Sequence, residues 1–157
     1  MFMKNSLVLD NQLCFALYTA ANSIIRYYSQ FLTPLGITYT QYLVLISFED
    51  SKNLTIQQIS KKLGLNPSTI SPVIKRLVAT GFIKKKRGEG DERVVIVSMS
   101  EKGKNLYKKL SKVQQMVFCK SGLTELEFKR IKNELDNLSA KFATKENYPL
   151  KKISNIS

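Results

Sequence analysis

Cys14 and Cys119 are the only thiols in a chain of 157 residues that contains no histidine. Without histidine the commonest general base and metal ligand is missing, so the reactive residues offer thiol chemistry. No metal site and no cofactor is expected. Asp10 is expected to cap a helix over residues 11–32, which places Cys14 near the end of its first turn. There the helix dipole favours an anion and can lower a thiol pKa, and the thiolate is the reactive form. Tyr18, four positions on, shares the face of Cys14. Tyr28 cannot reach that sulfur along one helix, because fourteen residues span about 21 Å at about 1.5 Å each. If the two touch, Tyr28 comes from a second chain whose first helix runs antiparallel. Two cysteines 105 positions apart make no disulfide framework, and a cytosolic disulfide between them would be transient and redox-linked.

A second group of side chains suits a polyanion. Residues 61–93 carry nine Lys/Arg against three Asp/Glu, whereas residues 1–50 carry two against three, within a net charge of +13. Such a division gives one basic surface and one packing surface. Lysines after residue 94 fit a solvated face equally well. Within residues 66–77, Ser68, Thr69 and Ser71 occupy the first turns with Pro72 beside them, and Lys75 and Arg76 follow. Short polar side chains at a helix start reach base edges, and cations farther along reach phosphates. The opposite face, Ile70, Val73, Ile74 and Leu77, packs inward. Farther on, Arg87 and Arg93 flank Gly88 and Gly90 in a charged hairpin. An arginine there suits a narrow A·T-rich minor groove, and Asp91 can hold Arg93 in a forked ion pair. The plain structural reading is a capped helix followed by an ordinary surface turn.

The elements that position these groups follow from turn chemistry and periodicity. The first helix has apolar residues at 13, 17, 20, 21, 24, 25, 28 and 31, a helical spacing, and ends at Pro34 and Gly36. A largely apolar helix over about 40–48 belongs in the core. Thr55 and Gln58 form a capping box for a helix to about 63, and Gly64 makes the turn. Asn66 is expected to cap the next helix, with Pro67 at its first position, and Gly81 closes it. Residues 82–85 and 94–98 are β-rich and bracket the hairpin. Helices over about 100–119 and 124–142 complete the chain, with Gly122 between them, and residues after 144 are expected to be disordered. No run is long and apolar enough to span a membrane. The N-terminus, residues 1–6, has neither the apolar block nor the cleavage site of a secretory signal. A cytoplasmic, non-membrane protein is expected.

Helix, turn, helix and two strands around a charged hairpin, in that order, resemble the multiple-antibiotic-resistance regulator (MarR) family over about residues 10–142. The hallmark is Asp91-Glu92-Arg93, then Val94 to Ser98, Met99, Ser100, Glu101, Lys102 and Gly103. The resemblance implies a mainly α fold with a small β wing, a winged helix-turn-helix over about 40–103. It implies a single domain with dimerisation helices at about 1–35 and 104–143. The implied assembly is a homodimer on double-stranded operator DNA, with two recognition helices about one DNA turn apart.

Leu13-Cys14-Phe15-Ala16-Leu17-Tyr18, with Tyr28 and with Ile37-Thr38-Tyr39-Thr40-Gln41-Tyr42, resembles the organic hydroperoxide resistance regulator (OhrR) branch. That resemblance implies that Cys14 senses peroxide, that Tyr28 and Tyr39 of the partner subunit hydrogen-bond it, and that Tyr18 lies beside it. Cys119 resembles the second cysteine of two-cysteine members, which close an intersubunit disulfide. It also fits a small buried hydrophobe. The opening Asn66-Pro67-Ser68 departs from the Asp-Ser-Gly of close relatives, which bears on operator preference.

The implied function is a repressor released from DNA when organic hydroperoxide oxidises Cys14. The alternative is a repressor of the same family gated by a phenolic or quinone-like ligand, which the aromatic N-terminal third would serve equally. A thiol peroxidase is disfavoured, because no thioredoxin-like βαβ pattern is present and no acid or Arg flanks Cys14. A sequence-neutral architectural protein would use the net charge alone.

Overall fold

Leu45, Ile59, Ile70, Ile74, Leu77 and Val97 are almost wholly shielded from solvent, and the elements that carry them enclose one apolar core. A computed structural model describes residues 8–49, 51–87 and 94–143. Among them are six α-helices: α1 (Leu13–Leu32), α2 (Tyr39–Ile46), α3 (Ile56–Leu63), α4 (Pro67–Ala79), α5 (Glu101–Ser121) and α6 (Glu125–Ala143). Three strands, β1 (Asn53–Thr55), β2 (Ile83–Arg87) and β3 (Val95–Met99), form an antiparallel sheet in the order β1-β3-β2. Val97 pairs with Leu54 on one side and Lys85 on the other. The β-branched run Val95-Ile96-Val97 suits this central strand.

The chain divides into two compact units, Met1–Val117 and Phe118–Ser157. The first holds the core, to which α5 contributes Leu106, Leu110 and Val113. In the second, Phe118 meets the Phe128 ring edge-on at 5.4 Å. Gly122 takes a positive φ of 68°, and Thr124 opens α6 by accepting from the Glu127 N–H.

Two expectations about helix starts are corrected. Asp10 does not cap α1. Residues Leu9–Asn11 form a 3-10 turn with Asp10 inside it, Gln12 stands at the cap position, and no side-chain cap bond is made. Asn66 stands at the cap position of α4, but its side chain makes no cap bond. Its carbonyl instead accepts from Thr69 and Ile70.

Two features went unread. The second helix begins at Tyr39 under a capping box of Thr38 and Gln41, and β1 is an additional strand. The box at Thr55 is as expected: the Gln58 N–H donates to Thr55 Oγ1 at 3.1 Å, and Gln58 Oε1 accepts from the Thr55 N–H at 2.8 Å. Thr55→Ala is therefore expected to destabilise the fold by about 1 kcal/mol, read as a lower denaturation midpoint with an unchanged slope.

Candidate DNA-reading surface and thiol site

The underside of α4 fixes what its upper side can present. Ile70, Ile74 and Leu77 are buried and Val73 half-buried, so helical spacing turns Ser68, Thr69, Pro72, Lys75 and Arg76 to solvent. Ser71 is half-buried, and its hydroxyl donates to the Pro67 carbonyl at 2.9 Å. Pro72 lies within the helix, where it has no N–H to offer the Ser68 carbonyl. Ahead of α4, Gly64 takes the left-handed conformation that ends α3, at φ 63°. Lys62 ties α3 to the end of α2 by donating to the Ser47 carbonyl at 2.9 Å. Helix, turn and helix are thus held together, with two hydroxyls and two cations of α4 facing outward.

Of the hairpin, β2 and β3 are paired from Ile83↔Met99 to Arg87↔Val95. Lys84, Lys85 and Lys86 are exposed along β2. The side chain of Arg87, and Gly88, Gly90, Asp91 and Arg93, lie outside the described residues.

Cys14 is the second residue of α1 and is exposed, closer to the helix start than the sequence suggested. The first turn of a helix has backbone N–H groups without intrahelical partners. Tyr18 is 66% exposed on the same face, and Leu13 and Ile24 stand out of the same helix at 63% and 49%. Cys119 is also exposed in the single chain.

At the far end of α1, Tyr28 packs against Tyr39 of α2, with ring centroids 5.2 Å apart. A third ring, Tyr42, completes the cluster at 5.2 Å from Tyr28 and 5.8 Å from Tyr39. Sequence reasoning counted Tyr42 in the apolar second helix and in the Ile37–Tyr42 motif but gave it no role at the sulfur. Its position three residues after Tyr39, on one helix face, is the signal that could have joined it to the site. Burial raises the Tyr39 pKa, and the Tyr28 phenol beside it adds to the rise. Burial also raises that of Tyr42, followed by a hydrogen bond with Tyr28 and the neighbouring phenols. Both stay neutral O–H groups at physiological pH. Tyr28 and Tyr39 are thus brought together, whereas Cys14 lies fourteen positions from Tyr28 on one helix, about 21 Å away.

No helix among the described residues is long and apolar enough to cross a membrane. The family model for "Transcriptional regulator SarA/Rot" matches residues 26–110. The chain is 34% identical over 141 residues to the HTH-type transcriptional regulator SarZ of Staphylococcus epidermidis, covering 90% of this chain and 95% of SarZ. The structure of reduced AbfR bound to DNA is similar at a TM-score of 0.70 and 30% identity, over 87% of this chain and 95% of that one. Disulfide-formed AbfR is similar at a TM-score of 0.61 and 29% identity, over 83% and 91%. The expected mainly α, winged-helix fold is borne out.

Proposed function

The chain belongs to the SarA/Rot family of transcriptional regulators, and from that premise we propose a dimeric repressor that leaves its operator when organic hydroperoxide oxidises Cys14. It is a DNA-binding regulator of the SarA/MarR type. In this reading Ser68, Thr69, Ser71 and Pro72 of α4 meet base edges in the major groove, and Lys75 and Arg76 meet phosphates. Arg87 and Arg93 serve the adjoining minor groove, with Asp91 holding Arg93 in place. Two such heads, one per protomer, engage a pseudo-palindrome.

The observation that carries the redox reading is the exposed thiol of Cys14 at the second position of a helix without a side-chain cap. A thiol so placed is open to an oxidant arriving from solvent. The sulfur attacks one peroxide oxygen, the O–O bond breaks, and the alkoxide leaves and takes up a proton as the alcohol. Cys14 is then a sulfenic acid. Condensation with the thiol of Cys119 of the partner subunit forms the S–S bond and releases water. The similarity to a protein solved both reduced on DNA and disulfide-formed supports this route.

Dimerisation is supported by apolar side chains left in solvent. Leu13, Tyr18 and Ile24 stand out of α1, and Phe128, Ile131, Leu135 and Phe142 out of α6. In an antiparallel pairing of first helices, Tyr28 and Tyr39 of one protomer donate to Cys14 of the other, beside its Tyr18.

Nonreducing electrophoresis after a brief cumene hydroperoxide pulse tests the proposal. A covalent dimer is expected, formed in parallel with loss of the DNA complex in a gel shift and absent from both Cys14→Ser and Cys119→Ser proteins. Undiminished DNA binding after the pulse would overturn the redox reading.

A further inference from the structure

The C-terminal end of α4 is not left to water. The last carbonyls of α4, those of Arg76, Leu77 and Val78, accept from the N–H groups of Thr80, Phe82 and Gly81. The three carbonyls that follow the helix, those of Thr80, Gly81 and Phe82, accept from the stretch that opens α5. Lys102 Nζ donates to the Thr80 carbonyl at 2.8 Å, while its ammonium lies 4.7 Å from the centre of the Phe82 ring. The Ser100 hydroxyl donates to the Gly81 carbonyl at 2.6 Å, and the Ser100 N–H to the Phe82 carbonyl at 3.0 Å. The same hydroxyl accepts from the Gly103 N–H at 3.0 Å, so one oxygen both holds the turn that follows α4 and caps α5. At Gly103 the two segments approach so closely that a Cβ would lie 2.1 Å from the Phe82 carbonyl oxygen.

A cation at the negative end of α4 is favourable in itself. Its source matters more: it comes from the next helix and not from α4. The cap residue of α4 and the turn after it are therefore tied to the first turn of α5, by residues that need not touch DNA. We infer that Lys102 and Ser100 are positioning residues that set the angle of α4 against the DNA by latching its end to α5. This rests on α4 reading DNA and is independent of the redox reading.

The test separates aiming from charge. A duplex selected by the parent protein from a random-sequence pool is compared with an unrelated duplex of equal length, over a range of salt. Lys102→Met keeps the apolar stem and removes the ammonium. It is expected to weaken binding to the selected duplex about tenfold, leaving the unrelated duplex and the salt slope unchanged. Ser100→Ala is expected to show the same pattern. Gly103→Ala is not used, because the clash at Phe82 would disturb folding itself.

Equal weakening on both duplexes, with the slope reduced by about 1, would make Lys102 a phosphate contact and overturn the inference. Unchanged affinity for the selected duplex would overturn it too. So would a loss on both duplexes that tracks a lower thermal midpoint, since that is a stability effect. A parent protein that selects no duplex removes the DNA-reading premise, a failure visible before any variant is made.

Discussion

Cys14→Ser is expected to hold its operator duplex undiminished through a peroxide pulse that weakens the parent's hold about 100-fold, a span within ordinary coupling between two sites. Serine preserves size and helix position but supplies a far weaker nucleophile, so the O–O bond is not attacked. The substitution falls on an exposed side chain, so the unfolding free energy should stay within about 0.5 kcal/mol of the parent's. Fluorescence anisotropy before and after cumene hydroperoxide gives the comparison directly. Equal release of the serine variant would sink the sensor assignment. Release of that variant by a phenolic compound would favour ligand gating instead.

The second large effect concerns the floor beneath the reading surface. Ile74 is 1% exposed in the middle of α4, in a core shared with α2, α3 and β3. Ile74→Ala removes buried carbon atoms and leaves a cavity that rigid neighbours only partly fill, a loss of about 2–5 kcal/mol. For a chain of this size the thermal midpoint should fall by roughly 10 °C. Lys75→Ala, one residue on and facing solvent, should leave it nearly unchanged. Equal stability of the two variants would mean that α4 does not seat on this core as described.

Much of this arrangement was legible because local rules and burial agree. Thr55 with Gln58, Gly64 and Pro67 mark the helix-turn-helix through backbone chemistry that needs no distant partner. The apolar face of α4 could be read from its spacing alone. Cap assignment failed where two local options compete. Asp10 has the side chain of a cap, but the 3-10 turn over Leu9–Asn11 absorbs it. Asn66 leaves capping to its own carbonyl. The strand β1 was missed because three residues carry too little alternation, and its pairing with β3 spans more than forty positions. Tyr42 lies in the core, and its spacing from Tyr39 puts the two on one face of α2, but its contact with Tyr28 depends on how α1 and α2 cross. The latch of Ser100 and Lys102 on α4 was invisible for the same reason.

Ser71 carries a consequence for the DNA sequence itself. Its hydrogen is committed to the Pro67 carbonyl, so only oxygen lone pairs remain for an incoming edge. In the major groove, hydrogens for such lone pairs come from the amino groups of adenine and cytosine, whereas guanine and thymine present acceptors. In the proposed reading Ser71 therefore meets an amino group, adenine's or cytosine's, so this contact tells one strand of a base pair from the other and does not tell A·T from G·C.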